Sequence, residues 1–155
     1  MIPMEIPKTN NIGFTCGAFD LLHPGHLYFL SECRKKCDEL IVGLHTNPTI
    51  DRPDTKNKPV QTMFERWYQL NSLYIATDII PYDTEADLLN MLSILNINIR
   101  FIGWDYKDKK ITGEQICKDR DIKIQYIHRS HSWSSSTLRE RIGNETKIRQ
   151  NYNRN

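Results

Sequence analysis

No apolar run in the 155-residue sequence comes near the ~18 residues that cross a bilayer. The longest are stretches such as Leu40-Ile41-Val42-Gly43-Leu44, so no membrane partner is expected. Neither sign of charge is in excess. Lys and Arg number 21 against 19 Asp and Glu, a net of +2, and no strong field calls for nucleic acid or an anionic membrane. The first residues, Met1 to Lys8, carry two prolines and Glu5 and lack an apolar core. No signal peptide is therefore expected, and the protein reads as cytoplasmic. Cysteine is sparse: Cys16, Cys33, Cys37 and Cys117 read as reduced thiols in that compartment. Cys33 and Cys37 fall four apart on an expected helix, but no second ligand pair stands at zinc spacing, so burial is expected and no metal site. Glycine is limited to 7 residues and no repeat or low-complexity tract occurs, which excludes collagen-like and disordered chains.

What remains fits one compact domain over residues 1–155, with a core from about 12 to 142. A chain of this size buries roughly 68–70% of its unfolded surface and needs no staple. Apolar runs alternate with helical stretches throughout. Strands are expected at Ile12–Thr15, Leu40–His45, Asp78–Ile80, Ile97–Gly103 and Ile122–Ile127. Helices are expected at Pro24–Cys37, Gln61–Tyr74, from the Thr84 cap to Leu95, at Gly113–Asp119 and at Ser134–Ile142. Met63, Trp67, Leu70 and Tyr74 form one stripe of the second helix. Thr84 with Asp87 reads as a capping box, and Ser134 or Ser135 as the cap of the last helix. The polar tail 146–155 is expected to fray. The alternation predicts an α/β, Rossmann-like, doubly wound parallel sheet of five strands with helices on both faces. Its ligands belong outside the carboxyl ends of the strands.

The first strand ends in Gly17-Ala18-Phe19-Asp20-Leu21-Leu22-His23-Pro24-Gly25-His26. A strand end feeding a helix start presents free N–H groups and the positive end of a dipole, which is an anion site. His23 and His26 can both donate to phosphate oxygens there, and Gly17 and Gly25 permit close backbone approach. After the fifth strand come Arg129-Ser130-His131-Ser132-Trp133-Ser134-Ser135-Ser136-Thr137. Serine hydroxyls at a helix start, with an arginine beside them, make a second phosphate cradle.

The first stretch resembles the G-x-F-D-x-x-H-x-G-H signature of the nucleotidylyltransferase superfamily, and F-D-L-L-H-x-G-H its cytidylyltransferase form. The second is similar to the R-T-x-G-I-S-T-S/T motif of cytidylyltransferases and to the I-S-S-T-x-[IV]-R helix start of adenylyltransferases. Ala18 stands where most relatives have Thr or Ser, and Ser130, Ser132 and Trp133 replace the usual Thr, Gly and Ile. The resemblance implies that His23 and His26 bind the triphosphate and stabilise the pentacoordinate α-phosphorus. It implies that Lys56, Lys58 and Arg129 add charge, with Mg²⁺ on the triphosphate. Cys16, Gly17, Ala18, Phe19, Ser130, Ser134, Ser135 and Ser136 would line the nucleotide. Asp20, Arg66 and Asp105 would meet the second substrate: Arg66 on its phosphate, Asp105 on a hydroxyl or amine, or alternatively placing a metal.

The implied reaction is transfer of CMP from CTP to a small phosphorylated alcohol, in the manner of the glycerol-3-phosphate cytidylyltransferase type. The product would be a CDP-alcohol and pyrophosphate. Lys109-Lys110-Ile111-Thr112-Gly113 also resembles heptose-phosphate adenylyltransferases, which leaves an ATP-using enzyme acting on a sugar phosphate as the alternative. A nucleotide-binding module without catalysis is a third reading. The resemblance further implies a homodimer, with Trp67, Tyr68 and Tyr74 as candidate interface aromatics.

Overall fold

A computed structural model describes residues 10–152. Met1–Lys8, and the reading placed on them, lie outside the described residues, as do 153–155. The chain forms β1 (Ile12–Gly17), α1 (Pro24–Arg34), β2 (Glu39–His45), α2 (Met63–Ser72), β3 (Asp78–Tyr82), α3 (Glu85–Ile94) and β4 (Ile99–Gly103). A single 3₁₀ turn (Trp104–Tyr106), α4 (Glu114–Asp119), β5 (Lys123–Ile127) and α5 (Ser135–Tyr152) complete it. The five strands pair in parallel in the order β3-β2-β1-β4-β5. This is the doubly wound, Rossmann-like α/β sheet that the alternation predicts. Its order reverses at β1, which has β2 on one side and β4 on the other. The carboxyl ends of β1 and β4 therefore flank the crevice where such sheets bind ligands.

Two apolar layers hold the sheet. Phe14, Leu88, Met91, Leu92, Cys117 and Ile122 pack one face. Leu30, Cys33, Leu40, Val42, Leu44, Leu70 and Phe101 pack the other. Cys33 and Cys37 are free thiols in the second layer. The capping boxes form as the residue types require: Thr84 Oγ1 accepts from the Asp87 amide at 3.1 Å while Asp87 accepts from the Thr84 amide at 2.9 Å. Thr62 and Glu65 do the same at the start of α2. Ser134 caps α5, accepting from the Thr137 amide at 3.1 Å.

Two expectations are corrected. The helical backbone of α5 continues to Tyr152, past the expected end at Ile142. Gly143 lies inside the helix, where a glycine costs only about 1 kcal/mol and does not end it. On α2 the apolar stripe is carried by Trp67 and Leu70, which face the core. Met63 is 38% exposed, and Tyr74, beyond the helix end with φ 54°, is 91% exposed.

Candidate active site

The turn after β1 is strained. Phe19 and Leu21 both adopt positive φ, 48° and 51°, a region non-glycine residues enter at a cost and one that clusters at functional sites. Between them Asp20, 5% exposed, turns its carboxylate inward. It accepts from the Val60 amide at 2.9 Å and the Gln61 amide at 2.9 Å, and pairs with Arg139 of α5. Burial alone would raise its pKa, but the Gln61 and Val60 amides and the Arg139 guanidinium outweigh it and hold the carboxyl below its usual range. Asp20 thus ties three segments together: the β1–α1 turn, the 46–60 loop and the last helix. That engagement differs from the expected contact with a second substrate.

His23 is the N-cap of α1, and its Nδ1 accepts from the Gly25 amide at 3.1 Å. The bond fixes the neutral tautomer with its proton on Nε2. His26, one turn into the helix, stacks on His23 with ring centroids 3.9 Å apart. Burial and the neighbouring His23 push the His26 pKa down from its ordinary 6.5 to about 4. His23 is lowered too, by burial and then by Arg129 and His131. Any side chain at position 25 would collide. A Cβ on Gly25 would meet His131 Cε1, His23 Cε1 and the Trp133 carbonyl, each at 2.9 Å. The helix start and the serine loop are thereby packed face to face.

Two adjoining cavities open on this pair. The larger, about 560 Å³, is lined among others by Gly17, Asp20, His26, Arg52, Lys56, Arg100, Lys110, Ser136 and Arg139. The smaller, about 320 Å³, is lined by His23, His26, Trp104, Asp105, Arg129, His131, Trp133 and Ser134. Cys16, Gly17, Ala18, Phe19, His26 and Ser135 border both. Arg129 bonds Asp105 at 3.0 Å and also the Trp133 carbonyl, joining the turn after β4 to the serine loop. Lys56 reaches across the larger cavity to the Tyr106 hydroxyl at 3.1 Å. Lys58 is exposed and lines neither cavity.

Arg66 departs most from expectation. It is 1% exposed and its N–H groups end on backbone carbonyls. Nε donates to Gln61 and Thr62 at 3.2 and 3.3 Å, Nη1 to Ala18 and His45 at 2.8 Å each, and Nη2 to Thr46 at 2.6 Å. The guanidinium holds the backbone of the cleft together, with its N–H groups committed to carbonyls. Arg52, Arg100 and Arg139 line the larger cavity instead. Arg139 had a signal in its position four residues after Ser135 on one helix face, and Arg100 in being the one charge in an otherwise apolar strand. Arg52 had none beyond its loop.

A pH dependence follows from the histidines. Their folded pKa values lie below the unfolded ones, so the unfolded state binds more protons as the medium is acidified. Stability to urea is expected to be full above pH 6.5 and to fall as pH approaches about 4, with His26 supplying on the order of 3 kcal/mol of the loss. Urea titrations across that window should show a markedly shallower slope for His26→Gln. Equal slopes would contradict the buried neutral ring.

Residues 14–141 match the family described as cytidylyltransferase-like. The bifunctional protein HldE of Nitrobacter winogradskyi is 33% identical over 132 residues, which cover 85% of this chain and 27% of that protein. HldE of Campylobacter jejuni subsp. jejuni serotype O:2 is 32% identical over 137 residues, covering 87% and 29%. The chain thus spans less than a third of the length of these relatives. Among solved structures, a lipopolysaccharide core biosynthesis protein from Thermoplasma volcanium superposes with a TM-score of 0.62 at 24% identity, covering 80% of this chain and 99% of that one. A pantoate-beta-alanine ligase from Francisella tularensis gives 0.57 at 19%, covering 81% and 61%. Both share the fold. The expected glycerol-3-phosphate cytidylyl transfer is overturned by the HldE relatives, which side with the adenylyltransferase alternative. With its family model matched over most of its length and HldE proteins above 30% identity, the chain belongs to the cytidylyltransferase-like family of the nucleotidylyltransferase superfamily.

Proposed function

We propose that the protein transfers AMP from ATP to a sugar phosphate of the heptose type, releasing pyrophosphate. The likeness to the HldE proteins supports this acceptor class, as does the Lys109–Gly113 stretch. Those relatives are bifunctional and more than three times as long, so the proposal concerns nucleotidyl transfer alone. The observation that carries it is the stacked His23/His26 pair at the start of α1, with His26 bordering both cavities. One cavity then takes the nucleotide and the other the acceptor, with the α-phosphorus at the histidines between them.

In this reading an acceptor phosphate oxygen attacks the α-phosphorus, and the bond from that phosphorus to the β-bridging oxygen breaks in line. A phosphate dianion is already a nucleophile, so the protein supplies position and charge. His23 donates from Nε2, the proton the Gly25 bond leaves there. His26 meets the same oxygens from the second ring. Arg129 and Lys56 neutralise the phosphates, while the serines of 130–136 and the Cys16–Phe19 turn seat the nucleotide. Asp105 holds Arg129 in place and faces the smaller cavity. Among the described residues no group of three or more His, Cys, Asp or Glu is placed to hold an ion. Mg²⁺, which the resemblance implies, would accompany the triphosphate and help to spread its charge. We also propose a homodimer, supported by the exposed aromatics Phe64, Tyr68 and Tyr74 at 64%, 60% and 91%.

The test is a matrix of ATP and CTP against heptose-1-phosphate, glycerol-3-phosphate and phosphocholine, read as pyrophosphate release. A site that hydrogen-bonds one base edge leaves buried groups unpaired with the other. ATP with the sugar phosphate is expected to exceed every CTP combination by about 100-fold. The highest rate in a CTP cell would refute the proposal.

A further inference from the structure

Arg100 sits on β4 and is 4% exposed, yet it lines the larger cavity. Its Nη1 donates to the Thr112 carbonyl at 2.5 Å and reaches Cys117 Sγ at 3.9 Å. Among the described residues no carboxylate stands within ion-pair distance of it. Arg66 is equally buried, but five backbone carbonyls receive its N–H groups. Arg100 has one carbonyl and two thiols, those of Cys117 and Cys16, and burial keeps the Cys16 thiol protonated. Tyr82, bonded to Cys16, is held neutral in the same way. Glu85 borders the cavity but lies 2.9 Å from Arg52.

A buried guanidinium with five donors and no anion is costly unless a ligand supplies the charge. The cavity it lines also carries Arg52, whose buried Nε has no hydrogen-bond partner, together with Lys56 and Lys110. We infer that Arg100 anchors a phosphomonoester dianion in the larger cavity, and that this dianion is the phosphate of the acceptor. The second half of the inference rests on the proposed nucleotidyl transfer; the anion site does not. Anchored from β4, the phosphate lies in the cavity that His26 joins to the nucleotide side, with a free oxygen available for attack. Planar, bidentate contact is the guanidinium's particular advantage over an ammonium.

The triphosphate could supply the same chemistry, so the experiment separates the two sources. Thermal unfolding is followed with and without 10 mM inorganic phosphate for wild type, Arg100→Met and His26→Ala. Wild type and His26→Ala are expected to gain about 2 °C or more, whereas Arg100→Met gains nothing. In phosphate-free buffer Arg100→Met should melt at or above wild type, because it removes a buried unpaired charge for a side chain of similar volume. Should that variant not fold, Arg100→Lys keeps the charge but loses the fork, and its phosphate response should weaken by about 10-fold. In turnover, Arg100→Lys should raise KM for the sugar phosphate by about 10-fold and leave KM for ATP within about twofold. A response that persists in Arg100→Met, or that vanishes in His26→Ala too, overturns the site. So does a wild type that gains nothing. An equal rise in both KM values overturns the acceptor assignment. An Arg100-dependent phosphate response without turnover of any sugar phosphate would instead refute the reaction and leave the anion site standing.

Discussion

His26→Ala is expected to lower kcat by about 10²-fold or more while the protein stays folded. Removing one preorganised donor to a transition-state oxyanion costs roughly 10²–10³ in rate. His26 fits that description because it borders both cavities and burial keeps its ring neutral at pH 7. Its stability cost should be small. The ring packs on His23 and, at 5.4 Å, on Phe19, and its buried Nδ1 has no hydrogen-bond partner to lose. Steady-state kinetics beside a melting curve checks both parts. An unchanged kcat in a folded variant would remove His26 from the reaction.

Arg66→Met should show the opposite pattern, a loss of stability of about 3–5 kcal/mol. The side chain closes the carbonyl ends of β2, the β1–α1 turn and the first turn of α2 around one guanidinium. Each carbonyl left unpaired in a buried place costs roughly 1–3 kcal/mol, partly relieved by relaxation and water. Urea unfolding measures the loss directly. Arg66→Lys should recover little, since one ammonium cannot serve five carbonyls in three directions. A variant as stable as wild type but with a raised KM for the sugar phosphate would return Arg66 to the acceptor's phosphate.

These two residues show where the sequence is legible and where it is not. His23 and His26 are readable because their chemistry is local: a strand end, a helix start and two rings one turn apart. The parallel pairing of the sheet follows from the alternation, and the Thr84–Asp87 cap from two residues three apart. The contacts of Arg66 are not legible, because nothing local in the sequence says which side of α2 faces inward. Its partners lie 48 residues away at Ala18 and 21 away at His45. The pairing of Asp20 is hidden for the same reason, its partner Arg139 being 119 residues distant. Arg100 appears in sequence as a strand residue, and only the folded sheet reveals that it lines a cavity and has no counter-ion among the described residues. The choice of base is the least legible feature. Ser130, Ser132 and Trp133 depart from the cytidylyl pattern in the very loop that borders the smaller cavity, and the HldE relatives point away from CTP.

The most direct measurement of nucleotidyl transfer is the fate of label from ATP carrying ³²P at either the α or the γ position, incubated with heptose-1-phosphate and Mg²⁺. Attack at the α-phosphorus between the two cavities predicts α label in a sugar nucleotide and γ label in pyrophosphate, both lost together in His26→Ala. Label from the γ position in the sugar product, or α label only in free AMP or ADP, would contradict it.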